Sequence, residues 1–161
     1  MDVLTPKGLE SLRQEKRAVE LFLGSYGDFS YVETPKDQYA DIDGFITKKD
    51  VIISGVEVKC RNMSIKELSE KFDNKWLVTK DKIDRCVNIC TSLRIDFRGF
   101  LYLVPDDLLL IVPIWNNATL SYGTSMSAEF TETQETINGG KVVRLNAYID
   151  VSNAKAVTQV S

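Results

Sequence analysis

At 161 residues, 43% of them hydrophobic, the chain is long enough to bury its own core and short enough to be one domain. A net charge of −3 and a pI near 5.1 give no global sign of a nucleic-acid partner. The absence of histidine excludes Ser-His and Cys-His nucleophiles, histidine bases and histidine-ligated zinc, so any chemistry falls to carboxylates, lysine, tyrosine and a hard metal ion.

Charge is spread unevenly. Between Thr47 and Arg98 twelve Lys and Arg face eight Asp and Glu, a local excess of +4 in an otherwise acidic chain. Three cysteines in no regular framework suit a reducing compartment. The longest apolar runs are strand-sized, so neither a membrane span nor a signal peptide is expected and a cytoplasmic protein is the default, in the host cytoplasm if the chain is phage-encoded.

In chain order, Thr5 caps a helix with Pro6 in its first turn. Leu9, Leu12, Val19, Phe22 and Leu23 are read as its apolar face, and Gly24 as its end. Glu20, among Ala18, Val19, Leu21 and Phe22, is read as nearer the buried side than Glu15 and Lys16, which on position alone makes it a glutamate at the edge of the apolar face. Phe29 to Val32 forms a short strand or irregular lead-in, and Glu33 to Gln38 an exposed loop.

The stretch from Tyr39 to Arg61, YADIDGFITKKDVIISGVEVKCR, reads as an acid-bearing strand, a turn at Thr47-Lys48-Lys49-Asp50, and a second strand ending in Glu-Val-Lys. Side chains alternate along a strand, so Asp41 and Asp43 share one face, and Glu57 and Lys59 share another. Gly55 suggests a bulge or bend that re-aims the triplet. If the two strands pair with those faces together, carboxylates from one meet a carboxylate and an ammonium from the other, a setting for a divalent cation.

Ser64 with Glu67 is a capping box opening a helix to about Phe72, Asp73-Asn74 interrupts it, and a second helix runs from Thr79 or Lys80 to Leu93. Its Ile83, Cys86, Val87 and Cys90 fall on one face, and the two cysteines are read as core rather than metal ligands. Phe97 to Val104 and Leu108 to Ile114 are near-continuous apolar strands joined through Pro105-Asp106-Asp107, the mark of a sheet covered on both sides. The polar, Thr-rich tail carries a hairpin turn at Asn138-Gly139-Gly140.

This order of elements, with Asp43 in ADIDGFI, Glu57 and Lys59 in GVEVK and Glu20 in RAVELF, resembles the PD-(D/E)xK nuclease superfamily. That superfamily has the restriction-endonuclease-like fold and includes Holliday-junction resolvases and many phage nucleases. The resemblance covers roughly residues 5 to 115. It implies an α/β fold with a mixed central sheet flanked by helices. Residues 1–117 form the nuclease-like core, and residues 118–161 add a C-terminal β-hairpin extension of the same domain. No proline precedes the first acid, and Asp41 stands beside Asp43 as a second candidate.

The resemblance further implies a magnesium-dependent deoxyribonuclease, endonuclease ahead of exonuclease, with manganese as a substitute ion and a role in phage or mobile-element DNA processing. Asp43 and Glu57, the Val58 carbonyl and Asp41 are the metal-ligand candidates. Lys59 is placed to handle the attacking water or the phosphate, and Glu20 to hold a metal-bound water or a second ion. Lys80 or Lys82 supplies the polar residue that members often carry on the helix after the Lys strand. Lys48, Lys49, Arg61, Lys66, Lys80, Lys82 and Arg85 would follow the phosphate backbone of DNA, ahead of RNA. No membrane partner is expected, and a homodimer stays open. The competing readings are a catalytically inactive nuclease fold that binds nucleic acid or protein, and a small structural or interaction protein whose Thr-rich C-terminal hairpin presents an edge to a partner. At the site itself the alternative is a solvated strand face whose Asp, Glu and Lys merely pair across a hairpin.

Overall fold

A computed structural model describes residues 5–35, 41–135 and 141–159, with the side chains of 133–135 and 141–142 left aside. The order is α1 (Pro6–Ser25), β1 (Phe29–Glu33), β2 (Gly44–Lys48), β3 (Val51–Arg61), α2 (Ile65–Phe72), β4 (Lys75–Thr79), α3 (Lys80–Leu93), β5 (Asp96–Leu103), a 3-10 turn (Val104–Asp106), β6 (Leu108–Asn116), β7 (Ser121–Tyr122), β8 (Met126–Glu135), β9 (Lys141–Asp150) and β10 (Lys155–Val157). The expected turn at Asn138-Gly139-Gly140 and the start of the central stretch at Tyr39 lie outside the described residues.

The main sheet runs β1-β2-β3-β5-β6-β10, with β7 on β6. β3 and β5 are parallel, joined by the crossover through α2, β4 and α3, and the other pairings are antiparallel. The chain is therefore α/β with a mixed sheet. Period-two alternation sends the two faces of β3 and β5 into different cores. Val56, Val58, Phe100 and Tyr102 pack under Ala18, Leu21 and Phe22 of α1. Phe97, Leu101 and Leu103 pack with Ile83, Cys86, Val87 and Cys90 of α3.

The caps act as their residue types require. Thr5 accepts from the Gly8 N–H at 3.0 Å, and Ser64 and Glu67 form the reciprocal box on α2. α2 stops where Asp73 and Asn74 take φ of 52° and 54°, in the left-handed region. The β2–β3 turn is tighter than the expected four residues, since Lys49 and Asp50 alone connect the strands with φ of 51° and 64°.

Four expectations need correction. The buried face of α1 is Gly8, Ala18, Leu21 and Phe22, while Leu9 and Leu23 are exposed. Gly55 is not the bulge. It pairs regularly with Phe45 and Phe97, and the extra residue is Ile53, left between the pairs Ile46–Ser54 and Thr47–Ile52. Gly55 instead lets α3 approach, because a Cβ there would sit 2.7 Å from Cys90 Sγ. The third correction is a missed strand, β4, between α2 and α3, where an apolar KWLVT was read only as a gap. It pairs with β9 to build a second sheet, β4-β9-β8. Finally, the tail is woven into the fold rather than added to it. β9 holds β4, β10 closes the edge of the main sheet beside β6, and Ile149 and Val151 belong to the α3-side core.

Candidate active site

The site is built at the point where β2 stops and β3 continues. Asp43 immediately precedes β2. Its N–H donates to the Val56 carbonyl at 3.0 Å, and its carbonyl accepts from the Thr34 N–H at 3.0 Å and the Thr34 hydroxyl at 2.8 Å. With no further β2 backbone available, the Asp43 carboxylate completes the ladder itself, Oδ2 accepting from the Val58 N–H at 2.7 Å. That bond fixes the carboxylate against β3 next to Glu57.

Glu57 lies on the face of β3 turned toward α3. Its side chain is fully buried, and neither carboxylate oxygen has a hydrogen-bond partner among the described residues. Two ammonium groups flank it: Lys59 Nζ lies 3.4 Å from Oε1, and Lys82 Nζ, from the first turn of α3, lies 3.3 Å from Oε2. Burial first, and then the neighbouring Asp43 charge, push the Glu57 carboxyl up to about 7 despite the two lysines. Burial works against the Lys82 ammonium, but the charges of Glu57 and Asp43 outweigh it and hold its pKa above the ordinary lysine value.

The structure thus brings together Asp43, Glu57 and Lys59, with Val58 holding Asp43 in place, and adds Lys82 as a second cation. Asp41 turns elsewhere, its Oδ1 3.0 Å from Arg85 Nε while its carbonyl accepts from the Cys86 thiol. Glu20 does not lean inward. Its side chain is 53% exposed and pairs at 3.5 Å with Arg17, which itself forks onto Asp107 on the far side of α1. The acid of α1 that approaches the site is Glu15, which lines a small polar pocket with Ser11, Gln14, Lys59 and Arg61. Sequence reading missed it, although the signal was present. At 100° per residue Glu15 lies about 60° round the helix from Ala18, whereas Glu20 lies about 160° away.

The remaining basic candidates divide by partner. Lys80 pairs with Asp84, and Arg85 bridges Asp41 and Asp81. Lys48 stands over the Phe29 ring at 5.3 Å, and Arg61 donates to the carbonyl of Cys60 at 3.1 Å. Lys49 and Lys66 are exposed.

Among the described residues no three His, Cys, Asp or Glu side chains are gathered to hold a metal by themselves. Two adjacent carboxylates, one of them buried without a hydrogen bond, nevertheless fit a hard cation that takes one or two carboxylates and fills its other positions with water and phosphate oxygens. Among the described residues no helix is long and apolar enough to cross a membrane. No protein-family model, curated protein or solved structure matches the chain.

Proposed function

We propose that the chain is a divalent-metal-dependent nuclease of the PD-(D/E)xK type that hydrolyses phosphodiester bonds, in DNA ahead of RNA, with endonucleolytic cutting favoured. One observation carries this reading: Glu57 is a fully buried carboxylate set beside a second carboxylate, its oxygens held, among the described residues, only by two lysine ammoniums at 3.3 and 3.4 Å. A solvated pair across a hairpin would leave such an acid in water, where it costs nothing. A dry one, raised to about 7, is an expense that a bound cation removes. The arrangement around it supports the same reading, with α1 on one face, the β1-β2-β3 meander, and a helical crossover to a parallel β5.

In this reading Asp43 and Glu57 hold magnesium, or manganese as its substitute. When bound, the ion supplies Lewis acidity toward the phosphodiester and the attacking water. Val58 orients Asp43 through its N–H. Lys59, with its side chain 39% exposed, offers an ammonium beside the carboxylates that can donate to a phosphate oxygen or to the oxygen of the incoming water. Lys82 balances the Glu57 charge from the α3 side, and Glu15 and Lys59 line one small pocket.

Among the described residues no third acid is gathered, which favours one rival, an inactive nuclease fold that binds nucleic acid without cutting it. Supercoiled plasmid incubated with magnesium or manganese separates the two. The wild type is expected to nick the plasmid, and Glu57→Ala and Lys59→Ala to leave it intact. Equal cleavage by all three proteins, or by none, refutes the nuclease reading.

A further inference from the structure

On the face of the main sheet covered by α1 lies a pocket of about 320 Å³ that shares no residue with the carboxylate cluster. Its walls are apolar and largely aromatic: Phe22 and Tyr26 from the end of α1, Phe29 from β1, Ile46 from β2 and Ile111 from β6. Ile53 reaches it because the bulge in β3 turns that residue to the α1 side. Two cations line the same pocket, Arg98 and Lys155, and no carboxylate does.

The cations are held differently. Lys155 Nζ stands 5.0 Å above the Tyr26 ring. Arg98 gives Nη2 to Asp96 at 3.2 Å, while its Nη1 is buried with no hydrogen-bond partner among the described residues. Closed off from water, Nη1 is equally closed to a ligand, so what Arg98 brings to the pocket is its positive charge, shared with Asp96. The volume stands at the low end of small-molecule pockets, and an apolar enclosure with one or two fixed polar groups is the form such sites take.

We infer that this pocket binds a small amphipathic anion, with an aryl or short acyl body seated among Phe22, Tyr26, Phe29 and Ile111 and a single anionic head on Arg98 and Lys155. Charge selects the head: two positive lining residues with no acid among the lining favour an anion over a cationic or zwitterionic analogue. The aryl and acyl sources share this chemistry, so they become separate arms of the test.

The test is an amide-resolved NMR titration of the full chain with naphthoate, with octanoate, and with neutral naphthylmethanol. Naphthoate or octanoate is expected to give saturable shifts centred on Tyr26, Phe29, Arg98 and Ile111, with the alcohol weaker by about tenfold or more. The stronger of the two acids identifies the body. Arg98→Gln should weaken the acid by about tenfold and leave the alcohol within about twofold, and the wild-type acid-against-alcohol comparison stands even if that variant folds poorly. Equal affinity for acid and alcohol overturns the inference, as do shifts centred on Asp43 and Glu57, or no saturation by either acid at about 5 mM.

Discussion

Replacing Glu57 by Gln keeps the shape of the buried side chain and removes its charge, which isolates what burial of that charge costs. In the folded chain the carboxyl titrates at about 7 against an ordinary value of 4.5. Because the folded pKa is the higher one, the folded state holds the proton more tightly than the unfolded state. Stability is greatest below pH 4.5 and declines as pH rises, the loss being complete above about 7. The gap between 4.5 and about 7, at about 1.4 kcal/mol per pH unit, amounts to about 3 kcal/mol. In a chain of this length that corresponds to roughly 6–12 °C in Tm. Glu10, Asp107 and Asp150 titrate with the opposite sign, but their pKa values are lowered, by hydrogen bonds to Arg13, Arg17 and Ser152 respectively, so they act at or below the lower edge of the window. In EDTA, thermal melts from pH 5 to pH 8 should therefore show the wild type losing Tm while Glu57→Gln holds level. The two should lie closest near pH 5, where the wild type has already lost about 1 kcal/mol of the effect, and the variant should be the more stable near pH 8. Parallel melting curves across the range, or a wild type that gains stability with pH, would refute the claim that Glu57 is a dry carboxylate under strain.

Magnesium should act in the opposite direction: at pH 8, with the ion at roughly a hundredfold excess over its Kd, the wild type gains about 3 kcal/mol and Asp43→Asn gains almost nothing, as read by Tm. Glu15→Gln is expected to reduce plasmid cleavage by about tenfold or more while Glu20→Gln leaves it unchanged, because Glu15 lines the Lys59 pocket and Glu20 points to solvent. Gly55→Ala should cost about 1–3 kcal/mol in urea unfolding, since its Cβ would press on Cys90 Sγ at 2.7 Å and Ile42 at 3.3 Å, and an unchanged midpoint would mean that α3 can retreat without loss.

Local patterns made much of this molecule readable. The capping box at Ser64 and Glu67, the break at Asp73-Asn74, the apolar stripe of α3 and the continuous apolar strands β5 and β6 each depend on neighbours a few residues away, and each stands where the residues placed it. The closeness of Asp43 and Glu57 rests on less legible features, the two-residue turn and the bulge at Ile53, since a four-residue turn without a bulge would set Asp43 opposite Ser54. The face of α1 was not legible either. The assumed stripe, with Leu9 and Leu23 in it, lies roughly 100° round from the buried one, and Glu20 was drawn inward by its apolar neighbours in sequence rather than by its helical position. Leucine on a surface is ordinary, so hydrophobicity alone could not choose between the faces. β4 was missed because five residues between two helices bear no mark of a partner strand some 70 positions downstream.

That distant pairing bears on the site itself. β4 places Trp76 and Val78 in the same core as Ile83, Cys86, Val87 and Cys90, with Ile149 of β9 beside them. α3 is thereby enclosed between the main sheet and the second sheet, and Gly55 lets it lie close on β3. A helix held this tightly fixes Lys82 beside Glu57 and excludes the water that would otherwise solvate the carboxylate. The polar tail, which the residues alone mark as an appendage, therefore contributes to the electrostatics of the carboxylate pair through β9. Loosening that sheet should lower the Glu57 pKa toward the ordinary carboxylate range even with every residue of the site intact.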